Sequence, residues 1–273
     1  MLDYGKRSVL GIDVDAIDYD AAVARIVDAA KSDRPMSVTA LAVHGVMTGV
    51  LDRRHAYRLN QVDLVCPDGQ PVRWALNRLH GDAFPGPKLA QRVYGPELTL
   101  RICEAAATGD LPVFLFGATD EMLDQFSERL RQRFPGLRVA GRRASRFRQL
   151  TGEERDALVD EIRGSGAKIC FVGLGCPRQE VFIYEMRDRL AMPLIAVGAA
   201  FAFHAGVLQQ APAWMQRYGL EWLFRFTREP KRLWRRYVYL NPAYLSLLAL
   251  QQFGLYPRRG NRPQPPDQDL QFG

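Results

Sequence analysis

The residues of this chain best suited to chemistry lie in the run Cys170-Phe171-Val172-Gly173-Leu174-Gly175-Cys176-Pro177-Arg178-Gln179-Glu180. It passes from a short apolar β-type stretch into a loop with two glycines. It then opens a helix with Pro177 near the first position and Glu180 in the first turn. A strand feeding a glycine-bearing loop and a helix N-terminus is how α/β proteins hold phosphate. Glycine lets the backbone approach the ligand, and the free N–H groups with the helix dipole favour an anion. The spacing is not the dinucleotide fingerprint, because Gly173-Leu174-Gly175 is followed by Cys176-Pro177-Arg178. That favours a nucleotide or sugar-nucleotide over NAD, with a purely structural strand-to-helix turn as the alternative.

A second group of residues surrounds this loop. Asp68, in Cys66-Pro67-Asp68-Gly69, follows a strand-like run and could take a proton from a hydroxyl nucleophile. Its plain alternative is a helix N-cap, with Gly69 completing a turn. Arg92, in Arg92-Val93-Tyr94-Gly95-Pro96, places a cation and a glycine before another helix, and holds either a phosphate or a surface acid. Thr39 could bind a base or sugar hydroxyl, or be an ordinary strand residue. His44 reads as a helix-start residue, and no Asp-x-Asp pair is placed for a divalent ion. The small residues of Gly198-Ala199-Ala200-Phe201 permit close backbone approach or tight packing. Near the C-terminus Arg225, Arg228, Arg232, Arg235 and Arg236 recur at three- to four-residue spacing, with aromatics between them. Such a face could clamp a diphosphate, lie on an anionic membrane or bind nucleic acid; a solvated, salt-bridged face is the plain alternative.

The elements that must position these groups alternate along the first 200 residues. Strand-like runs are expected at 8–12, 36–42, 63–66, 112–116, 137–141, 168–173 and 193–198. Helical periodicity is expected at 19–30, 44–50, 71–79, 96–108, 121–134, 153–165 and 179–189. This alternation predicts an α/β fold, a Rossmann-like, mainly parallel sheet with helices on both faces. Ligands in such sheets sit beyond the carboxyl ends of strands. Asp68, Gly117, Gly173 and Gly175 all fall at such ends. Beyond residue 205 strand signals fade, and a helical basic appendage is expected, with a short apolar helix at 241–253. The domain reading is a core over 1–208, an appendage over 209–256, and a disordered tail over 257–273.

Composition narrows the class. Hydrophobic residues make up 47% and charged residues 25%, as in a soluble globular protein. No secretory signal opens the sequence and no apolar run is long enough to span a bilayer. The four cysteines form no CxxC pair, which fits a reduced, cytoplasmic protein. Of the net charge of +7, most falls from Ala213 onward, where ten basic residues meet four acidic ones. That asymmetry points to an anionic partner for the appendage.

Together these residues resemble the WecG/TagA/CpsF group of glycosyltransferases (glycosyltransferase family 26) from about Val9 to Tyr237. The marks are Pro67-Asp68-Gly69, Arg92-Val93-Tyr94-Gly95, the run from Phe171 to Glu180, Val197-Gly198-Ala199-Ala200-Phe201, and Ala211-Pro212 with Gly219-Leu220-Glu221-Trp222. The resemblance implies a metal-independent, inverting enzyme without a cofactor. Such an enzyme moves a hexose or N-acetylhexosamine from a UDP-sugar to a polyprenyl-diphosphate-linked acceptor, peripheral to the inner face of the cell membrane. It implies an appendage over 209–256 that meets the membrane and completes the site, and Asp68 as the general base. Thr39, Arg92 and Gln179, and the appendage arginines, are implied in substrate binding. With the strand-end positions, the expected binding set is Thr39, Arg92, Gly95, Gly117, Gly173, Gly175, Pro177, Arg178, Gln179, Glu180, Arg225, Arg228 and Arg232. No nucleic acid is expected as partner, and an oligomer is compatible with the sequence. Three positions depart from the family: Leu41 where Asn is frequent, Ala202 where Asp is frequent, and Gln210 where Arg is frequent. They bear on sugar specificity rather than on reaction type. The competing classes are a nucleic-acid-binding module built on the same arginines and a Rossmann-type oxidoreductase, although no G-x-G-x-x-G follows the first strand.

Overall fold

The computed structural model describes residues 1–256 and 262–273, the side chains of Ala213, Arg232, Arg235 and Arg236 excepted. Its centre is a six-stranded parallel sheet built from β3 (Met36–Leu41), β4 (Leu64–Pro67), β5 (Val113–Gly117), β6 (Val139–Arg143), β7 (Ile169–Gly173) and β8 (Pro193–Ala196). The order is β4-β3-β8-β7-β5-β6. The central strands are apolar on both faces, as expected of a sheet covered on both sides. Phe114, Phe116, Cys170, Val172, Leu194 and Ala196 point into one core. Their alternating neighbours Val113, Leu115, Ile169, Phe171 and Ile195 point into the other. The Rossmann-like α/β architecture read from the alternation is the one observed.

Helices α1 (Tyr19–Lys31), α5 (Gly95–Thr108), α6 (Asp120–Arg133) and α9 (Gly198–His204) cover the second face. Helices α2 (Val43–Leu51), α3 (Arg53–Gln61), α4 (Gln70–His80), α7 (Gly152–Gly164) and α8 (Arg178–Met186) cover the first. Local signals start several of them. Asp18 caps α1 by accepting from the Ala21 N–H, and Thr119 caps α6 through the Met122 N–H. Thr151 and Glu154 close a reciprocal capping box on α7.

The N-terminus differs from the expected single strand at 8–12. β1 (Asp3–Val9) and β2 (Ile12–Ile17) form an antiparallel hairpin. Leu10 and Gly11 both have positive φ, +54° and +84°, as a two-residue turn matching strand twist requires. Two helices were also absent from the periodicity reading. α3 is largely polar and buries only a narrow stripe with Ala56 and Leu59, while α9 is a short run of small and aromatic residues.

The appendage is helical, as the sequence suggests: α10 (Ala213–Arg217), α11 (Glu221–Arg228), α12 (Pro230–Arg235) and α13 (Asn241–Gln252). Pro230 begins a new helix, so the arginines do not share one continuous face. α13 packs Tyr244, Leu247 and Leu248 on the first core, and Tyr244 donates to the Pro71 carbonyl at 3.2 Å. Residues 262–273, which composition marks for disorder, make hydrogen bonds and an ion pair with the core. Leu150 N–H donates to the Gln271 carbonyl at 2.7 Å, and Asp269 pairs with Arg155 at 2.8 Å. Residues 257–261 lie outside the described residues.

The sheet brings β5 and β7 so close at their carboxyl ends that no side chain fits between them. Gly117 has φ +115°, and a Cβ there would stand 2.6 Å from the Gly173 backbone carbon. Backbone cannot swing aside as a side chain can. Gly117→Ala is therefore expected to cost about 3 kcal/mol from strain and overpacking. Gly164→Ala, where a Cβ meets nothing within 4 Å, serves as a near-neutral control. Urea unfolding of the two variants checks this, and equal midpoints would refute it.

Candidate active site

The carboxyl ends of β3, β4, β5, β7 and β8 open on one cleft, where α11 of the appendage closes over the core. Two cavities meet there. The larger, of about 420 Å³, runs along the strand ends past Gly95, Gly173, Gly175, Gln179, Gly198 and Phe147. The smaller, of about 140 Å³, lies under the appendage against Gln70, Arg92, Tyr94, Glu221 and Trp222. Ala42, His44, Asp68 and Arg225 line both, so the junction of the two cavities carries one carboxylate, one imidazole and one guanidinium. A wider groove of about 680 Å³ lies on the outer side of Arg92 and Tyr94, but Asp68 does not line it.

Asp68 sits immediately after β4, and its backbone N–H donates to the Leu41 carbonyl at 3.2 Å. The carboxyl is partly exposed into the cleft but surrounded by protein on its other sides. Burial raises its pKa to about 7, against the opposing pull of Arg92, and Glu221 adds a further raise. The Gly95 N–H and Arg225 act in the lowering direction. A carboxyl poised near neutrality is suited to accept a proton at physiological pH. The N-cap reading does not hold for it: α4 begins at Gln70 with Gly69 as its cap and no side-chain cap bond.

Arg92 turns its guanidinium toward the appendage. Its Nη2 donates to Glu221 Oε2 at 2.6 Å and to Gln216 Oε1 at 3.3 Å, and the group lies over the Tyr94 ring at 4.1 Å. Tyr94 donates its hydroxyl to Glu221 Oε1 at 2.8 Å. Both carboxylate oxygens of Glu221 are thus taken, and the pair is largely buried. Burial opposes the charge on Arg92, yet Asp68 and Glu221 outweigh it and raise its pKa. Burial, together with Glu221 and Asp68, also raises the Tyr94 phenol well above its ordinary range.

The glycine loop is held from below by two side chains. Gln179 Oε1 accepts from the Gly175 N–H at 3.1 Å and from the Gly198 N–H at 3.0 Å, joining the ends of β7 and β8. Gln179 Nε2 donates to Glu180 Oε1 at 2.9 Å, and Thr39 Oγ1 donates to the same oxygen at 3.1 Å. Glu180 lines the larger cavity and is itself buried. Burial pushes its pKa up, while hydrogen bonds from Gln179, its own backbone N–H, Thr39 and Cys176 hold it down.

Of the residues singled out in the sequence, the fold gathers Asp68, Arg92, Gly95, Gly173, Gly175, Gln179, Glu180 and Arg225 around these cavities. Thr39 is fully buried and reaches the cleft only through Glu180. Gly117 lies behind the wall formed by Ala118 and Thr119. Pro177 and Arg178 are exposed on the outer side of α8, Arg178 facing the Phe272 ring at 5.6 Å. Arg228 stacks on Phe224 and faces a separate groove. The side chain of Arg232 lies outside the described residues. Sequence reasoning left Tyr94, Phe147 and Glu221 off the site. Glu221 had a signal, as an acid in Gly219-Leu220-Glu221-Trp222 beside an arginine-rich stretch. Phe147 had none, since it comes from a loop after the edge strand β6.

Residues 7–258 match the family described as "Glycosyl transferase WecG/TagA/CpsF family". Among curated proteins, an N-acetylglucosaminyldiphosphoundecaprenol N-acetyl-beta-D-mannosaminyltransferase of Bacillus spizizenii is 28% identical over 194 residues, covering 71% of this chain and 70% of that protein. The family match runs through the core, the cleft and the appendage alike, and the chain belongs to the WecG/TagA/CpsF family of glycosyltransferases.

Proposed function

We propose that this glycosyltransferase moves a hexose or N-acetylhexosamine from a UDP-sugar to a saccharide on a polyprenyl diphosphate, in the synthesis of a bacterial surface polysaccharide or exopolysaccharide. The observation that carries this reading is Asp68 in the wall shared by two cavities. The nucleotide-sugar occupies the larger one, along the glycine-bearing strand ends. The acceptor enters the smaller one under the appendage. The name of the Bacillus relative supports an acceptor of this kind, since it specifies a sugar on diphosphoundecaprenol. Neither the nucleic-acid reading nor the oxidoreductase reading has support of this kind.

Asp68 takes the proton of the acceptor hydroxyl as that oxygen attacks the anomeric carbon. The bond from that carbon to the diphosphate breaks on the opposite face, UDP departs with the electron pair, and the configuration inverts. Charge growing on UDP needs neutralising. Arg225, at the junction, is the cation placed to do so, with the N-terminus of α8 behind the glycine loop. Among the described residues no group of three or more His, Cys, Asp or Glu side chains is gathered to hold a metal ion. The proposed scheme is written without a divalent cation.

The appendage carries most of the large exposed apolar side chains, among them Trp214, Tyr218, Trp222, Trp234, Tyr239 and Phe253. With its arginines, this composition suits an anionic lipid surface. No described helix is long and apolar enough to cross a membrane. In this reading the protein rests on the inner face of the cell membrane, where a lipid-linked acceptor is presented.

Asp68→Asn should lower turnover by about 10²–10⁴-fold, the usual worth of a general base, while UDP affinity stays within about twofold. In the native enzyme kcat/KM should fall about tenfold per unit below pH 7, because the protonated carboxyl cannot accept a proton, and level off above it. UDP release followed across pH tests both, and full turnover by the Asn variant would remove Asp68 from this role. EDTA in the same assay should leave the rate unchanged; a collapse restored by Mg²⁺ would overturn the metal-free scheme. In flotation assays the full chain should bind vesicles containing phosphatidylglycerol but not pure phosphatidylcholine, and release as salt screens the charges. Equal binding to both would refute the electrostatic part of the membrane reading.

A further inference from the structure

The described tail makes a set of contacts that lie beyond the family match, which ends at residue 258. Residues 270–273 run antiparallel to the loop that follows β6, with a bridge between Gln149 and Phe272. Leu150 N–H donates to the Gln271 carbonyl at 2.7 Å, and Gly273 N–H donates to the Arg148 carbonyl at 3.2 Å. Glu185, on α8, anchors the same residues from the other side. Its two oxygens accept from the Leu270 and Gln271 N–H groups at 2.7 and 3.0 Å. Gly273 is buried against Leu150 so closely that a Cβ would meet that side chain at 2.2 Å.

The loop held in this way reaches the cleft. Ser145 N–H donates to the carbonyl of Ala118, which lines the larger cavity. Ser145 Oγ accepts from the Phe147 N–H at 2.9 Å and donates to the Gly273 carbonyl at 2.8 Å. One hydroxyl therefore links the tail, the loop and Phe147. Phe147 lines the larger cavity and stands at φ +54°, in the left-handed region that an aromatic residue seldom occupies. Such a conformation persists only where its surroundings over-determine it. Phe147 is half exposed, and its N–H is held by the Ser145 hydroxyl, which the tail carbonyl of Gly273 engages in turn.

We propose that residues 270–273 are a positioning strap for the cleft: docked between Glu185 and the 145–150 loop, they hold Phe147 as a wall of the nucleotide-donor cavity. The proposal rests on the donor assignment given above. The strap touches no reacting atom, and it acts on donor affinity by fixing one wall before the ligand arrives.

The test compares the full chain with one that ends at Asp267. Amide exchange at residues 145–150 should accelerate in the shortened chain, while exchange in β5 and β7 stays slow. The Kd for UDP and the KM for the sugar donor should each rise about tenfold with kcat within about twofold, the pattern of lost ground-state binding. Phe147→Ala should weaken UDP binding in the full chain but by less than about twofold more in the shortened one, since both changes remove the same wall. Ser145→Ala in the full chain, which cuts the hydroxyl link and leaves the tail in place, should raise the Kd about threefold. It covers the case of a shortened chain that fails to fold. Unchanged exchange at 145–150, an unchanged Kd, or fully additive effects of truncation and Phe147→Ala would each overturn the strap. Failure of the full chain to bind UDP would instead overturn the donor assignment, and the exchange pattern would still decide whether the tail holds the loop.

Discussion

The site depends on where Arg92 directs its hydrogen bonds. It stands among two carboxylates, Asp68 of the core and Glu221 of the appendage, and its short contact is to Glu221. An arginine bridged directly to Asp68 would hold that carboxyl low and make it a poor base. Turned toward Glu221, it tempers the effect of burial without abolishing it, and Asp68 stays near neutrality. A buried ion pair is weak evidence for stability, because desolvation offsets most of the attraction. Its value here is geometric. It sets the appendage at one position over the strand ends, and so defines the smaller cavity beside Asp68.

The same economy of space runs through the cleft floor. Gly117 fits against the Gly173 backbone, Gly173 against the Phe201 ring, and Gly198 against Gln179 and Gly175. At each, a Cβ would collide with a strand end, a helix side chain or the glycine loop. Gln179 then ties two of these glycine N–H groups to one amide oxygen. The floor is rigid because backbone approaches backbone and because buried polar groups are satisfied in a closed set. Glu180 belongs to that set and lines the cavity, where burial raises its pKa. Asp15, elsewhere in the core, is a similar case. Burial raises its pKa, and both oxygens have partners, the Val65 N–H at 2.8 Å and Arg25 at 3.4 Å.

Much of the sheet was legible because buried parallel strands are continuous apolar runs, and the runs at Val113–Gly117 and Ile169–Gly173 are as plain in sequence as in space. The elements that escaped notice share a weak apolar signal. β2 alternates Ile12, Val14 and Ala16 with two aspartates, one of them the buried Asp15, which disguises its inward face. α3 buries four of its nine residues, and two of those four are the polar His55 and Arg58. The tail from Arg262 onward has the composition of disorder, rich in proline, glutamine and aspartate. Its order comes from acceptors and donors on distant segments, Glu185, Arg155 and the 148–150 backbone, which no local pattern announces.

By itself the sequence determined the α/β alternation, the strand ends that carry Asp68 and the two loop glycines, the family marks, and the concentration of positive charge on the last helices. These are local properties, set by periodicity, glycine placement and composition along short windows. Only the tertiary structure decided which arginine meets which acid. It assigned Arg92 to Glu221, turned Arg225 into the cleft, and left Arg178 and Arg228 outside it. It also sank Thr39 beneath Glu180 and raised Phe147 to the rim. Charged side chains and loop aromatics act through the space they share with segments remote in the chain. That shared space is set by how the helices stack on the sheet, which spacing along the sequence does not encode.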